Sequence, residues 1–406
     1  MSRLPKGCIN VGGSMASAME KSRQLFISSF SSFGYKPFWP PAFQLLETAW
    51  DRLPESMRTR LMAISTPFGE PCCLRADITM AAVAYLSAQH TPEERPLRLC
   101  YSDRIYKVPQ PPATGLETFQ IGAELLGWEG GGADVEVLSI LLKSMDRIGI
   151  SDAHIVLGDA KIVQKIMDGI PSRVASKLIL CLEKGSYSKY FKVLQETSVP
   201  KSMLPFLEAL PHLKGNSSVL LKGGNLLGDD SIFKPLSTIG EELRKLGYGD
   251  RISFDLALTR ELNYYSGPIF DLYSPRFGKA LGGGGRYDGL LFKYGIFGQA
   301  IGFALDLKSV ASISSFGHDN NETPAVMLWP GTLSPANTLK SAWQLASRGC
   351  NIEISWTSSK EESIRLTRTR HMEWWADLSL DKITNIISGE KFSLKEWNMG
   401  GCKCLR

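Results

Sequence analysis

The chain is poor in the features that would announce a function at once. Its eight cysteines include no CxxC pair, and none of the five histidines stands near Cys402 or Cys404. The close ligand pairs of a zinc site are therefore missing, and scattered thiols read as reduced cytosolic cysteines. No run of 18 apolar residues exists, so no membrane partner is expected. The opening "MSRLPKGCINVGGSM" is polar and glycine-rich, unlike a signal peptide, and a soluble, cytoplasmic protein is expected. Net charge is only +5, without a run of five basic residues. That is too weak to argue for nucleic acid, which is not expected as a partner, and the densest basic stretch, "IRLTRTRH" (364–371), reads as a solvated helix face. No internal repeat, P-loop or proper GxGxxG turn is found.

What is present is ordinary globular material. With 406 residues and 43% hydrophobic content, the chain can build two domains with real cores. Residues 14–34 read as an amphipathic helix, 61–75 as a hairpin, and 78–89 as a helix. Strands are expected at 97–108 and 116–127, a strong helix at 133–149, then the short strand "HIVLGD". Several helical patterns fill a segment of about 160–245, which looks like an insertion. Strands return at 252–257, 267–273 and 299–305, and a helix follows from Asp306. The clearest linker is 314–324. Beyond it "AVMLWP", "SPANTLKSAWQLASRG" and "CNIEISW" form one βαβ-like unit, and the tail from 358 has no assignable fold. Few helices among many hairpin-joined strands indicate the α+β class with a largely antiparallel sheet. The expected domains are 1–318 and 323–406.

Four clusters place polar residues among apolar strands. In "LRADIT", Asp77 and Thr79 are two apart and would share a strand face. In "FQIGAE", Gln120 and Glu124 are four apart and would do the same. "ALTRELNYYSGPIFDLY" sets Arg260 beside Tyr264 and Tyr265, and "LGGGGRYDGLL" adds Tyr287. Each has a plain alternative: solvent-facing strand residues, an Arg260 ion pair with Glu261 or Asp255, tyrosines packed in a core, and a glycine run that is a turn or bulge. Together they offer carboxylates, a guanidinium, hydroxyls and an amide. A zwitterionic amino acid with a polar side chain needs that set.

These stretches resemble a known family. "LRADIT", "FQIGAELLG", "TRELNYYSGPIF", "GGGRYDGLL" and "AIGFALDL" are similar, in order over about residues 5–312, to the motifs of histidyl-tRNA synthetases. "GYKPFWPPAFQLLETAWD" resembles the class II motif 1 that builds a dimer interface in that family. The resemblance implies a class II synthetase-like antiparallel sheet flanked by helices. It also implies a histidine pocket. Asp77 and Thr79 would hold the α-ammonium, supported by Gln120. Arg260 would sit near the carboxylate. Glu124 would accept an imidazole N–H, Tyr265 would face the other ring nitrogen, Tyr264 would belong to the same site, and Tyr287 would close the pocket. A carboxylate and a phenol suit the two imidazole nitrogens.

The departures from the pattern point further. Lys107 stands where motif 2 carries an arginine, the loop "VPQPPATGLE" has no arginine, and Ser309, after Lys308, takes the place of the motif 3 arginine. Lysine is a poor replacement for a bidentate fork on phosphate, and each lost cation costs on the order of 10²–10³ in rate. The C-terminal part resembles only the first βαβ unit of an anticodon-binding domain. A chain equipped for histidine but not for ATP or tRNA resembles the synthetase paralogues that serve as regulatory subunits of ATP phosphoribosyltransferase. That implies a non-catalytic protein without cofactor or metal. Its partners would be the short catalytic subunit and L-histidine as effector, within a hetero-oligomer built on a homodimer. The alternatives are a divergent histidyl-tRNA synthetase and a scaffold that binds no histidine.

Overall fold

A computed structural model describes residues 3–53, 55–111, 113–128, 132–197, 199–259, 264–316 and 326–399. The chain forms two compact units, Met1–His318 and Asp319–Arg406. The first begins with α1 (Gly13–Ser31), β1 (Lys36–Pro37), β2 (Phe43–Leu45), α2 (Leu46–Arg52), α3 (Glu55–Arg58), β3 (Met62–Ser65), β4 (Pro71–Leu74) and α4 (Thr79–Gln89). Two long strands follow, β5 (Leu97–Tyr106) and β6 (Glu117–Trp128), then α5 (Ala133–Ile148) and β7 (His154–Asp159). A helical stretch comes next: α6 (Ala160–Met167), α7 (Ser172–Glu183), α8 (Tyr187–Gln195), α9 (Leu204–Ala209), β8 (Lys214–Gly215), α10 (Ser218–Leu227) and α11 (Lys234–Lys245). The unit closes with β9 (Ile252–Asp255), β10 (Pro268–Ser274), β11 (Phe277–Arg286), α12 (Asp288–Lys293), β12 (Gln299–Asp306) and α13 (Leu307–Ile313).

Among the described residues, nine strands make the main sheet, in the order β1-β5-β6-β12-β11-β10-β7-β9-β8. β1 with β5 and β7 with β9 are parallel; the other six neighbouring pairs are antiparallel. The fold is α+β with a largely antiparallel sheet, as the strand pattern indicated. Period-two alternation gives the sheet its two faces. Ile121, Ala123 and Leu125 of β6 and Phe303 of β12 enter the large core that α1 and α5 cover. α1 meets it with Ala18, Ser22, Phe26 and Phe30, one every four residues, all buried. Phe26 and Phe30 stack with ring centroids 4.8 Å apart, and Phe30 lies 5.7 Å from Phe303. Burying each such ring stabilises the fold by about 2–3 kcal/mol.

Two expectations are corrected here. The glycine run 282–285 is not a turn or bulge; it is the middle of β11, paired with β10 and β12. Glycine signals turns in a sequence, but here it answers close approach by neighbouring strands. A Cβ on Gly285, which has φ +156°, would stand 2.6 Å from the Pro268 carbonyl oxygen. Likewise, "LRADIT" is not a strand segment. β4 ends at Leu74, and Thr79 is the first residue of α4.

The second unit contains β13 (Val326–Trp329), α14 (Pro335–Ala346), β14 (Ile352–Ile354), α15 (Lys360–Thr369), β15 (Trp374–Asp377), β16 (Lys382–Asn385), β17 (Lys391–Ser393) and α16 (Leu394–Met399). Its sheet order is β14-β13-β15-β16-β17, with β13 parallel to β14 and β15. The tail that offered no assignable fold thus completes a sheet. Its helix α15 buries Ser363 and Thr367, and Trp375 Nε1 donates to Ser363 Oγ at 2.9 Å. A polar buried stripe hides such a helix from hydrophobic periodicity. From residue 317 to 325 the expected linker lies outside the described residues.

Candidate ligand pocket

On β6, the residues between those that enter the core turn to the opposite face: Gln120, Gly122, Glu124 and Leu126. Register places Leu99 and Gly302 on either side of Glu124, and Tyr101 and Ala304 on either side of Gly122. Residues directly opposite share a face. This face is floored by small side chains around one fully buried carboxylate. A Cβ on Gly302 would stand only 1.5 Å from Glu124 Oε2. The missing side chain is the space in which the carboxylate lies.

Three hydroxyls converge on Glu124. Thr79 Oγ1 donates to Oε1 at 2.7 Å, Tyr101 Oη reaches the same oxygen at 3.3 Å, and Tyr287 Oη donates to Oε2. Tyr101 Oη also lies 3.3 Å from the Phe303 carbonyl oxygen. Asp77, in the loop before α4, accepts the Met80 N–H on Oδ1 at 2.8 Å and the Tyr264 hydroxyl on Oδ2 at 3.4 Å. The ring of Tyr264 is 5.0 Å from that of Tyr265 and 5.9 Å from that of Tyr287.

The structure therefore brings Asp77, Thr79, Glu124, Tyr264, Tyr265 and Tyr287 together from four separate segments. Asp77 and Thr79 arrive by a loop and a helix start rather than by strand alternation. Tyr264 is the buried member of the tyrosine pair and the one that reaches Asp77, while Tyr265 is partly exposed. Gln120 is half-buried four residues before Glu124 on β6, outside the hydroxyl cluster. Arg260 lies outside the described residues. Tyr101 was missed by reading the sequence. Its only signal is a tyrosine directly across from a glycine, which is invisible until the register of β5 and β6 is known.

Burial dominates the electrostatics. It pushes the Glu124 carboxyl up to about 8, with the Asp77 charge adding to the rise and the hydroxyls of Tyr287, Thr79 and Tyr101 opposing it. Asp77 is raised as well, chiefly by burial, against the Met80 N–H, the Lys107 charge and the Tyr264 hydroxyl. Tyr101, Tyr264 and Tyr287 are held well above the ordinary phenol range by burial and by the nearby carboxyls. They are neutral donors at any working pH. Such a pocket suits a small cation with N–H groups.

The surroundings are poorly built for phosphate. Arg75 is buried; its guanidinium pairs with Asp103 at 2.6 Å and donates to the Arg104 and Pro40 carbonyls. Arg104 pairs with Glu117 at 3.3 Å and lies over the Phe119 ring. The Ser309 N–H donates to Asp306 Oδ1, capping α13. Among the described residues, no group of three His, Cys, Asp or Glu side chains could hold a metal ion, and no helix is long and apolar enough to cross a membrane. A cleft of about 970 Å³ lies elsewhere in the unit, but its carboxylates are already engaged. Asp134 pairs with Arg286, and Asp159 caps α6.

The histidyl-tRNA synthetase profile matches residues 7–310, and the chain belongs to that family. Its relatives within the family point to a narrower group. An ATP phosphoribosyltransferase regulatory subunit of Nitrosomonas europaea is 31% identical over 77% of this chain and 81% of its own length. Another, of Moorella thermoacetica, is 28% identical over 92% of this chain and 97% of its own. In fold, the chain is similar to a solved ATP phosphoribosyltransferase regulatory subunit/histidyl-tRNA synthetase of Bacillus halodurans. That match has a TM-score of 0.81 at 21% identity and covers 93% of this chain and 97% of the other.

Proposed function

We propose that this protein is the regulatory subunit of ATP phosphoribosyltransferase, the first step of histidine biosynthesis. In this reading it is not itself an enzyme. It activates the short catalytic subunit and mediates feedback inhibition by L-histidine. The observation that carries the reading is a fully buried carboxylate ringed by hydroxyls; by resemblance, Lys107 and Ser309 stand where the synthetases carry their phosphate-gripping arginines.

Histidine would sit over the Gly302 floor. Its imidazole N–H would donate to Glu124, and a tyrosine hydroxyl, from Tyr264 or Tyr265, would meet the other ring nitrogen. Asp77 and Thr79 would hold the ammonium with help from Gln120, Arg260 would pair with the carboxylate, and Tyr287 would close the site. For histidine to inhibit, it must bind the active and inactive states of the complex unequally, by about 1–3 kcal/mol. A homodimer within the hetero-oligomer is the expected assembly.

The test is reconstitution. The chain is mixed with a short-form catalytic subunit from the same source, and phosphoribosyl-ATP formation is followed with and without histidine. Activation that histidine reverses is the expected result; an unaffected partner beside a folded chain would overturn it. The family profile itself favours one other reading, a divergent synthetase. Robust histidine-dependent ATP–pyrophosphate exchange would establish that instead.

A further inference from the structure

We infer that the pocket without its ligand holds one proton on its Glu124–Asp77 carboxyl pair and releases it when an amino acid enters with its ammonium group, so that binding exchanges a proton for the ammonium charge. The inference rests on the histidine reading above and adds a proton stoichiometry and a direction of pH dependence to it.

The geometry requires some such arrangement. The groups facing Glu124 are Thr79 from α4, Tyr101 from β5, Gly302 from β12 and Tyr287 at the start of α12. All are neutral. Asp77 adds a second carboxyl, faced by the Met80 N–H and by Tyr264, with Tyr265 beside it. Among the described residues, Lys107 is a cation that acts on Asp77. Hydroxyl donors stabilise a carboxylate, but they do not cancel its charge. Two buried carboxyls whose charges act on each other do not both ionise readily, so one keeps its proton. Glu124, fully buried, is the one pushed up to about 8.

The ligand's ammonium reverses the balance. A nearby positive charge favours the carboxylate, so with the ammonium held at Asp77 both carboxyls ionise, the Glu124 carboxylate accepts the imidazole N–H, and the displaced proton leaves to solvent. Affinity should therefore rise with pH, by up to about tenfold per unit between roughly 6.5 and 8, and level off above. The lower bound stays clear of the titration of imidazole itself, near 6.5.

Calorimetric titration of the full chain with L-histidine at pH 7, in buffers of different ionisation enthalpy, measures this directly. The slope of observed heat against buffer enthalpy should report close to one proton released per histidine. In Glu124→Gln, which fixes the neutral form, release should fall to near zero. The variant's affinity deficit should be at least tenfold at pH 8 and smaller at pH 6.5. A wild-type slope near zero, or proton uptake, overturns the inference while leaving the histidine site standing. Undiminished release from Glu124→Gln overturns its assignment to Glu124. No binding heat in any buffer removes the histidine reading and this inference with it.

Discussion

The two faces of the nine-stranded sheet are made from the same strands, yet they differ in nearly every respect. On one, Ile121, Ala123, Leu125 and Phe303 pack against α1 and α5. On the other, the intervening positions of the same strands carry Gly122, Glu124, Gly302 and Ala304. One residue of phase separates a close-packed core from a hydroxyl-lined site around a buried acid. The comparison teaches where this chain forgoes stability. The core face follows the alternation of large apolar side chains, whereas the pocket face leaves its centre bare and gathers hydroxyls around an acid that water would otherwise solvate.

Substitutions can sharpen that contrast. Phe303→Ala on the packed face should cost about 3–5 kcal/mol in chemical denaturation, because its ring touches Phe26, Phe30 and Phe270 and leaves a cavity. Across the sheet at the neighbouring residue, Gly302→Ala should cost about 1–3 kcal/mol of stability. Histidine affinity should fall by more than about 100-fold in the same variant, since the new methyl occupies the Glu124 carboxylate position. If the two variants lose stability and binding in equal proportion, the division of labour between the faces is wrong.

The third substitution has the opposite sign. Glu124 is raised in the folded state to about 8, above its unfolded value near 4.3. Its stabilising effect is thus fully present below pH 4.3 and is lost as pH rises through 8. At pH 8.5 the ionised, buried acid destabilises the fold, so Glu124→Gln should be more stable than wild type there, by roughly 2–4 kcal/mol. The gap should shrink toward pH 5. A thermal-melt series across that range checks it. The smallest effect is expected from Tyr101→Phe. It removes one of the three hydroxyls on Glu124 and should weaken histidine binding by about 1 kcal/mol or less, with the fold unchanged by circular dichroism.

The packed face was the legible one. Alternating apolar residues in β5, β6 and β12 and the four-residue stripe of α1 can be read without any structure, and they give the fold class. The pocket face was legible only in part. Glu124 stood out as an acid within an apolar strand, and Tyr287 and the Tyr264–Tyr265 pair stood out through motifs. The glycines of β11 did not, because glycine announces a turn unless the neighbouring strand is known. Nor did Tyr101, whose meaning depends on facing Gly122 across a register that the sequence leaves open. Asp77 and Thr79 were chosen for a strand face they do not share; a helix start brings Thr79 onto Glu124, and the loop before it brings the Asp77 charge within reach. Side chains that pack are written in periodicity, whereas side chains that converge are written in register and loop geometry.

The most direct measurement compares L-histidine titrations of the wild-type chain and Glu124→Ala, with melting curves recorded on both. The account predicts saturable binding to wild type and none to a variant that still unfolds cooperatively, because a pocket carboxylate is lost from a face that contributes little packing. Equal histidine affinity in the two would mean that the bare face of the sheet is not the effector site.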